Sequence, residues 1–175
     1  DENERDAARL GAVFTAMRLL PKPVVAAVHG RALAGGAGIA TACDIVLATG
    51  SAQIGYPEIQ RGFVPAMVMT MLRRLTGEKA ALELVLTGRL LGAAEAHEIG
   101  LISRVIPDAE FEVVVQQVAG DLARRGPSAL ALTKRLFYEL DSRSFSEGIA
   151  LGARINALAR ATPEFRHSLQ RFLVK

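Results

Sequence analysis

Residues 22–38 read Lys22-Pro23-Val24-Val25-Ala26-Ala27-Val28-His29-Gly30-Arg31-Ala32-Leu33-Ala34-Gly35-Gly36-Ala37-Gly38: an apolar run, a turn and a cluster of glycines. The run 24–28 is apolar throughout and bounded by turn residues, which predicts a short buried strand. His29 and Gly30 open a loop that reaches Gly35 and Gly36. The small residues 37–43 predict a helix, and 45–48 a second apolar strand. Strand, glycine loop, helix, strand is an α/β unit. Glycines at such a junction let the backbone approach a ligand and leave N–H groups facing outward at a helix start. A tight turn that packs the helix onto its strand accounts for the same residues.

Upstream, Leu10, Val13, Phe14, Met17 and Leu20 fall at helical spacing, and Pro21 and Pro23 end a helix over 7–20. Downstream, residues 51–65 read as irregular, punctuated by Gly55, Pro57, Gly62 and Pro65. Helices follow over 76–87 and 93–99, each stopped by a glycine, Gly88 and Gly100. A strand over 101–106 ends at Pro107. Phe111, Val115, Val118 and Leu122 mark a helix over 108–125, and Pro127 suits the first turn of the next. Ser144 and Glu147 have the spacing of a capping box for a helix to about 161, and Thr162-Pro163 opens a last helix ending near 175. A strand-rich first half thus precedes a helical second half, with no repeat or linker between them. The later helices are apolar enough to need a covering surface, either another subunit or the first half.

A chain of 175 residues, half of them hydrophobic, can bury one substantial core. Its apolar stretches are broken by charge short of the ~20 residues of a spanning helix, so no membrane partner is expected. The acidic start, Asp1-Glu2-Asn3-Glu4, does not have the form of a secretory signal. A lone Cys43 makes no internal disulfide and agrees with a reducing compartment; the expected location is the cytoplasm. The formal charge of +3 is spread over pairs such as Arg73-Arg74, Arg124-Arg125 and Lys134-Arg135, read as solvated faces. An anionic ligand or a nucleic acid is the alternative, though no single basic stripe favours nucleic acid. No Walker loop or G-x-S-x-G elbow occurs, and Gly36-Ala37-Gly38 lacks the third glycine of a dinucleotide fingerprint. His29, His97 and His167 stand too far apart in sequence to suggest a metal site.

One ordered series carries more information than any single motif. Lys22 to Gly36 leads into Ala42-Cys43-Asp44-Ile45, then Ala52-Gln53-Ile54-Gly55-Tyr56-Pro57-Glu58 and Gly62-Phe63-Val64-Pro65. Leu86-Thr87-Gly88-Arg89 and Ala93, Glu95, Ala96, Gly100, Leu101 and Ile102 follow in order. This series resembles the enoyl-CoA hydratase/isomerase (crotonase) family, nearly without gaps from 21 to 107 and more weakly to the end.

The resemblance implies an α/β fold of the crotonase type, a spiral of stacked ββα turns. Residues 1–107 would form the C-terminal part of that core, and 108–175 a helical region for oligomerisation and covering CoA, in one continuous domain. It implies a homotrimer or hexamer, an acyl-CoA thioester as substrate, and no cofactor beyond the CoA that the substrate carries. By position, the Gly35 N–H matches one donor of the oxyanion hole. The other donor belongs to an upstream segment that this sequence does not contain, so a longer protein is expected. Glu58 matches the glutamate that exchanges a proton at the α-carbon. Gly38 stands where many hydratases carry a second glutamate. Tyr56, Val64, Pro65 and Met67 match walls of the acyl pocket, and Phe172 and Lys175 a C-terminal CoA-contacting region. Hydration of a 2-enoyl-CoA is the expected reaction, with Δ3-Δ2 isomerisation by the single Glu58 as the alternative. A non-catalytic acyl-CoA or nucleic-acid binding protein is the alternative from another class.

Overall fold

The computed structural model describes residues 1–173, with side chains described to residue 170. Two compact units are present: residues 1–18 with 24–119, and residues 19–23 with those from 120 onward.

The first unit opens with α1 (Glu2–Leu19) and then crosses repeatedly between two small sheets. β1 (Val25–Val28) joins one sheet, and β2 (Arg31–Leu33) the other. After α2 (Gly35–Ala42), β3 (Ile45–Thr49) returns to the first sheet and β4 (Gln53–Gly55) to the second. The sheet orders are β1-β3-β6 and β2-β4-β5, where β5 is Leu90–Gly92 and β6 is Arg104–Ile106. Each ββα turn therefore adds one strand to each sheet. β1, β3 and β6 run parallel, as do β2 and β4, whereas β5 is antiparallel to β4. The switch between β1 and β2 is made at Gly30, whose φ of +71° suits glycine.

β3 shows why its sequence has no polar alternation. Val46 and Ala48 face the main core, while Ile45 and Leu47 face a second cluster with Ile106 and Phe111. Successive side chains point to opposite faces, and here both faces are covered, as the uninterrupted apolar run required. The second cluster is closed by α6 (Phe111–Ala123) through Val114, Val115 and Val118. The main core packs Ile54, Leu72, Leu84 and Leu91 under α3 (Ala66–Thr76), α4 (Glu78–Thr87) and α5 (Ala93–Glu98).

Three strands depart from the sequence reading. β2, β4 and β5 are each three residues long, Arg-Ala-Leu, Gln-Ile-Gly and Leu-Leu-Gly, inside segments read as loops or as a helix flank. Three residues are too few for a period to register, and these strands exist because they pair with one another. The expected strand over 101–106 shortens to Arg104–Ile106, because Leu101 and Ile102 bond back to Ala96 at the end of α5. The expected helix over 76–87 is the second of two, split from α3 at Gly77, where φ is +78°.

The second unit contains α7 (Pro127–Glu139), α8 (Phe145–Arg160) and α9 (Pro163–Leu173). α8 starts with the expected capping box: the Ser144 N–H donates to Glu147 Oε2 at 2.9 Å, and the Glu147 N–H donates to Ser144 Oγ. One member of a basic pair departs from the solvated face expected of it, while its neighbour Arg135 is exposed. Lys134 is buried, and its Nζ donates to the Lys22 carbonyl at 3.0 Å. The buried ammonium thus has an acceptor.

Candidate active site

Parallel strands leave a sheet at the same end. β2 and β4 are parallel with Leu33 opposite Gly55, so Ala34-Gly35 and Tyr56-Pro57-Glu58 emerge side by side, one strand spacing of ~4.8 Å apart. The Ala34 N–H donates to the Gly55 carbonyl at 3.0 Å and extends the pairing by one residue. Sequence positions 35 and 58, remote along the chain, begin from neighbouring strand ends.

α2 starts abruptly at this edge. Ala34 holds φ 49° and ψ −119°, and is the one residue other than glycine at positive φ among the described residues. The first N–H groups of α2 follow this turn. They have no helical carbonyl to bond, and the Gly38 N–H is the first to close, onto the Ala34 carbonyl at 2.8 Å. Gly35 and Gly36 are exposed. Such donors can hold a developing oxyanion.

Glu58 lies in a single 3-10 turn, Pro57–Arg61, closed by Gly62 at φ +75°. The Gln60 side chain donates to the Gly88 carbonyl at 2.9 Å, which ties this turn to the end of α4. Glu58 is half-buried, and its Oε2 is a buried oxygen that accepts no hydrogen bond among the described residues. A buried carboxylate oxygen left without a donor costs stability, and the retention of such atoms calls for an explanation, a catalytic role among them.

The residue before Pro57 anchors the site. Tyr56 is fully enclosed in the core, with its hydroxyl 2.6 Å from Thr41 Oγ1. Thr41 already donates to the Ala37 carbonyl at 2.7 Å, so the shared proton is the tyrosine's and Thr41 accepts it. Burial pushes the Tyr56 hydroxyl up to about 12; the Thr41 bond opposes this, and the nearby negative charge of Glu58 adds to it. The Tyr56–Thr41 bond joins the Glu58 segment to the body of α2.

The other expected pocket residues separate by exposure. Pro65 is buried at the start of α3, and Val64 is two-thirds exposed beside Phe63. Met67 is half-buried and reaches α1, where a methyl group added at Gly11 would stand 3.7 Å from its Cγ. One helical turn along α1, Phe14 lies over Gly38: a Cβ built there would stand 3.0 Å from Phe14 Cζ. Sequence reasoning counted Phe14 as one apolar helix position; nothing local marked it as the residue facing Gly38. Thr41 likewise carries no sequence signal for its role. The backbone of Phe172 falls within α9, but its side chain, and all of Lys175, lie outside the described residues.

The remaining candidates make contacts within the scaffold or lie at the surface. Asp44 Oδ2 accepts from the Val24 N–H at 2.7 Å, and Cys43 packs against the core. His29 and His167 are exposed, and His97 Nδ1 lies 2.8 Å from the Ile102 carbonyl. Arg89 spans Glu83 at 2.6 Å and Glu95 at 2.7 Å, which holds the Glu95 carboxyl below its usual range. Among the described residues no cluster of three or more His, Cys, Asp or Glu could hold a metal, and no helix is long and apolar enough to cross a membrane.

Known proteins resemble this chain in sequence and in fold. A putative enoyl-CoA hydratase of Thermus thermophilus is 41% identical over 175 residues, covering 100% of this chain and 69% of its own length. A probable enoyl-CoA hydratase of Mycobacterium bovis is 35% identical over 154 residues, covering 87% of this chain. The chain spans 60% of that second relative's length. The crystal structure of an enoyl-CoA hydratase from Mycobacterium smegmatis superposes with a TM-score of 0.94 at 28% identity, covering 98% of this chain and 67% of that one. Residues 5–175 match the enoyl-CoA hydratase/isomerase family. The chain therefore belongs to the enoyl-CoA hydratase/isomerase family and has the crotonase fold.

Proposed function

We propose that the protein carrying this chain hydrates a 2-enoyl-CoA thioester, with Glu58 as its proton-transferring carboxylate. The observation that carries the reading is the buried Glu58 Oε2, which accepts no hydrogen bond among the described residues, on a turn that leaves the sheet beside Gly35. The Gly35 N–H would polarise the thioester carbonyl together with a second donor supplied by upstream sequence. As water oxygen bonds to the β-carbon, the π pair of the double bond moves toward the α-carbon and the carbonyl oxygen. Glu58 gives the α-carbon its proton and takes one from the adding water, so the carboxyl group ends as it began. The names of the relatives, enoyl-CoA hydratases, support the reaction class. The substrate carries its own activating thioester, and the reading needs no further cofactor.

A second reading is favoured by the glycine at position 38, where no second carboxylate is present. A single carboxylate can take the proton of the α-carbon and return it to the γ-carbon, as the β,γ double-bond pair shifts into conjugation with the thioester, and so isomerise a 3-enoyl-CoA. Assembly as a trimer or a dimer of trimers is part of the proposal. The exposure of Phe137, Phe145 and Ile149 on the helices of the second unit supports it.

The test follows loss of the conjugated thioester absorbance with crotonyl-CoA, and its gain with a 3-enoyl-CoA, for the full-length protein and its Glu58→Gln variant. Hydration reduced on the order of a hundredfold or more by the substitution is expected. Activity unchanged in Glu58→Gln would sink the assignment, and isomerisation without hydration would establish the second reading.

A further inference from the structure

The position that lacks a carboxylate is not an empty one. Gly38 is buried, and a Cβ there would meet the tip of the Phe14 ring at 3.0 Å and both adjacent ring carbons at 3.8 Å. A contact that tight requires the neighbour to yield, and Phe14 has little freedom to do so. It is the one buried residue of α1, with a side chain 8% exposed. Gly38 lies three residues after Gly35, so the two share one face of α2 a turn apart. The ring therefore covers the stretch of α2 directly behind the N–H groups that face the proposed thioester carbonyl.

We propose that Phe14 is a specificity-determining residue. Its ring fills the volume into which a side chain at position 38 would project, and it lines that side of the site with carbon. This rests on the reading of Gly35 and Glu58 given above, and goes beyond it by naming what occupies the space in front of Gly38. An apolar ring holds no water by hydrogen bonding and offers no second proton carrier. Water and proton then reach the substrate from the Glu58 side alone. Reducing the ring opens a space beside the reacting carbons, which favours water addition over proton relocation.

The experiment uses the full-length protein with Phe14→Leu, which keeps an apolar anchor for α1, and Phe14→Ala as a second variant. Each is combined with Gly38→Ala. Gly38→Ala alone should lower Tm by several degrees, and Phe14→Leu should remove at least half of that loss, because neighbours in contact do not add. The ratio of crotonyl-CoA hydration to 3-enoyl-CoA isomerisation should rise in Phe14→Leu by on the order of tenfold, the scale of a small change in pocket shape. A merely structural Phe14 would shift Tm without moving that ratio. Additive Tm losses, or an unchanged or lower ratio in an active enzyme, would overturn this inference and leave the Glu58 reading standing. Failure of the wild type to turn over either substrate would instead overturn the Glu58 reading, and the reaction role of Phe14 with it.

Discussion

The Tyr56 hydroxyl donates to Thr41 Oγ1 across 2.6 Å, and through that bond the strand end that carries Glu58 is fastened to the helix whose first turn carries Gly35. Both partners are buried, Tyr56 at 0% and Thr41 at 5% exposure, so neither can turn to water if the other is lost.

The two halves of this bond should be unequal under substitution. Thr41→Val strands the tyrosine O–H in the core and should cost about 1–3 kcal/mol, the penalty for an unsatisfied buried donor. Tyr56→Phe leaves Thr41 bonded to the Ala37 carbonyl and should cost only ~1 kcal/mol. Denaturant midpoints of the two variants check this; equal losses would contradict the donor assignment.

The same burial predicts a loss of alkaline stability. In the unfolded chain Tyr56 ionises near 10.0, and in the folded protein the hydroxyl is pushed up to about 12. Its contribution is complete below the unfolded value and is lost as pH rises from 10 toward 12, at ~1.4 kcal/mol per pH unit. Unfolding curves between pH 9 and about 12 should therefore fall less steeply in Tyr56→Phe than in the wild type, with the difference confined to that window.

Ala34 offers a stabilising change. Its φ of 49° with ψ of −119° is a conformation that glycine adopts freely and alanine does not. Strain of about 1–3 kcal/mol should outweigh the ~0.5–1 kcal/mol entropy cost of glycine. Ala34→Gly should raise Tm by a few degrees, and a lower Tm would show that the turn carries no strain.

Gly55 admits no side chain. A Cβ there would stand 2.6 Å from Leu90 Cδ2 and 3.0 Å from the Arg89 carbonyl, which belongs to the backbone and cannot rotate away. Gly55→Ala should cost about 1–3 kcal/mol and, by displacing the segment that leads to Glu58, lower kcat. Adding Leu90→Ala should restore part of the stability, since it removes the side-chain clash and not the carbonyl. Full activity in Gly55→Ala would refute the dependence of Glu58 on this pairing.

Much of the scaffold was legible because it rests on local chemistry. The apolar runs around Val25–Val28 and Ile45–Thr49 both form strands; the second is buried on both faces, whereas Ala27 of the first is exposed. Ser144 and Glu147 cap their helix, and Pro127 begins another. β2, β4 and β5 were not legible, because three-residue strands borrow their hydrogen bonds from partners distant in sequence. Lys134 was misread for a related reason: a lysine on a helix looks solvated until another segment supplies an acceptor to its buried end.

The sequence by itself determined the motif order and the glycines of the α2 start, since these depend on residue type and spacing, and it singled out Glu58 as the candidate carboxylate through the family resemblance that the motif order carries. Only the tertiary structure decided that Gly35 and Glu58 start from adjacent strand ends, that Tyr56 fastens one to the other through Thr41, and that Phe14 occupies the space beside Gly38. Each of these is a contact between segments far apart along the chain, and such contacts are set by parallel strand register and close packing, which no local pattern encodes.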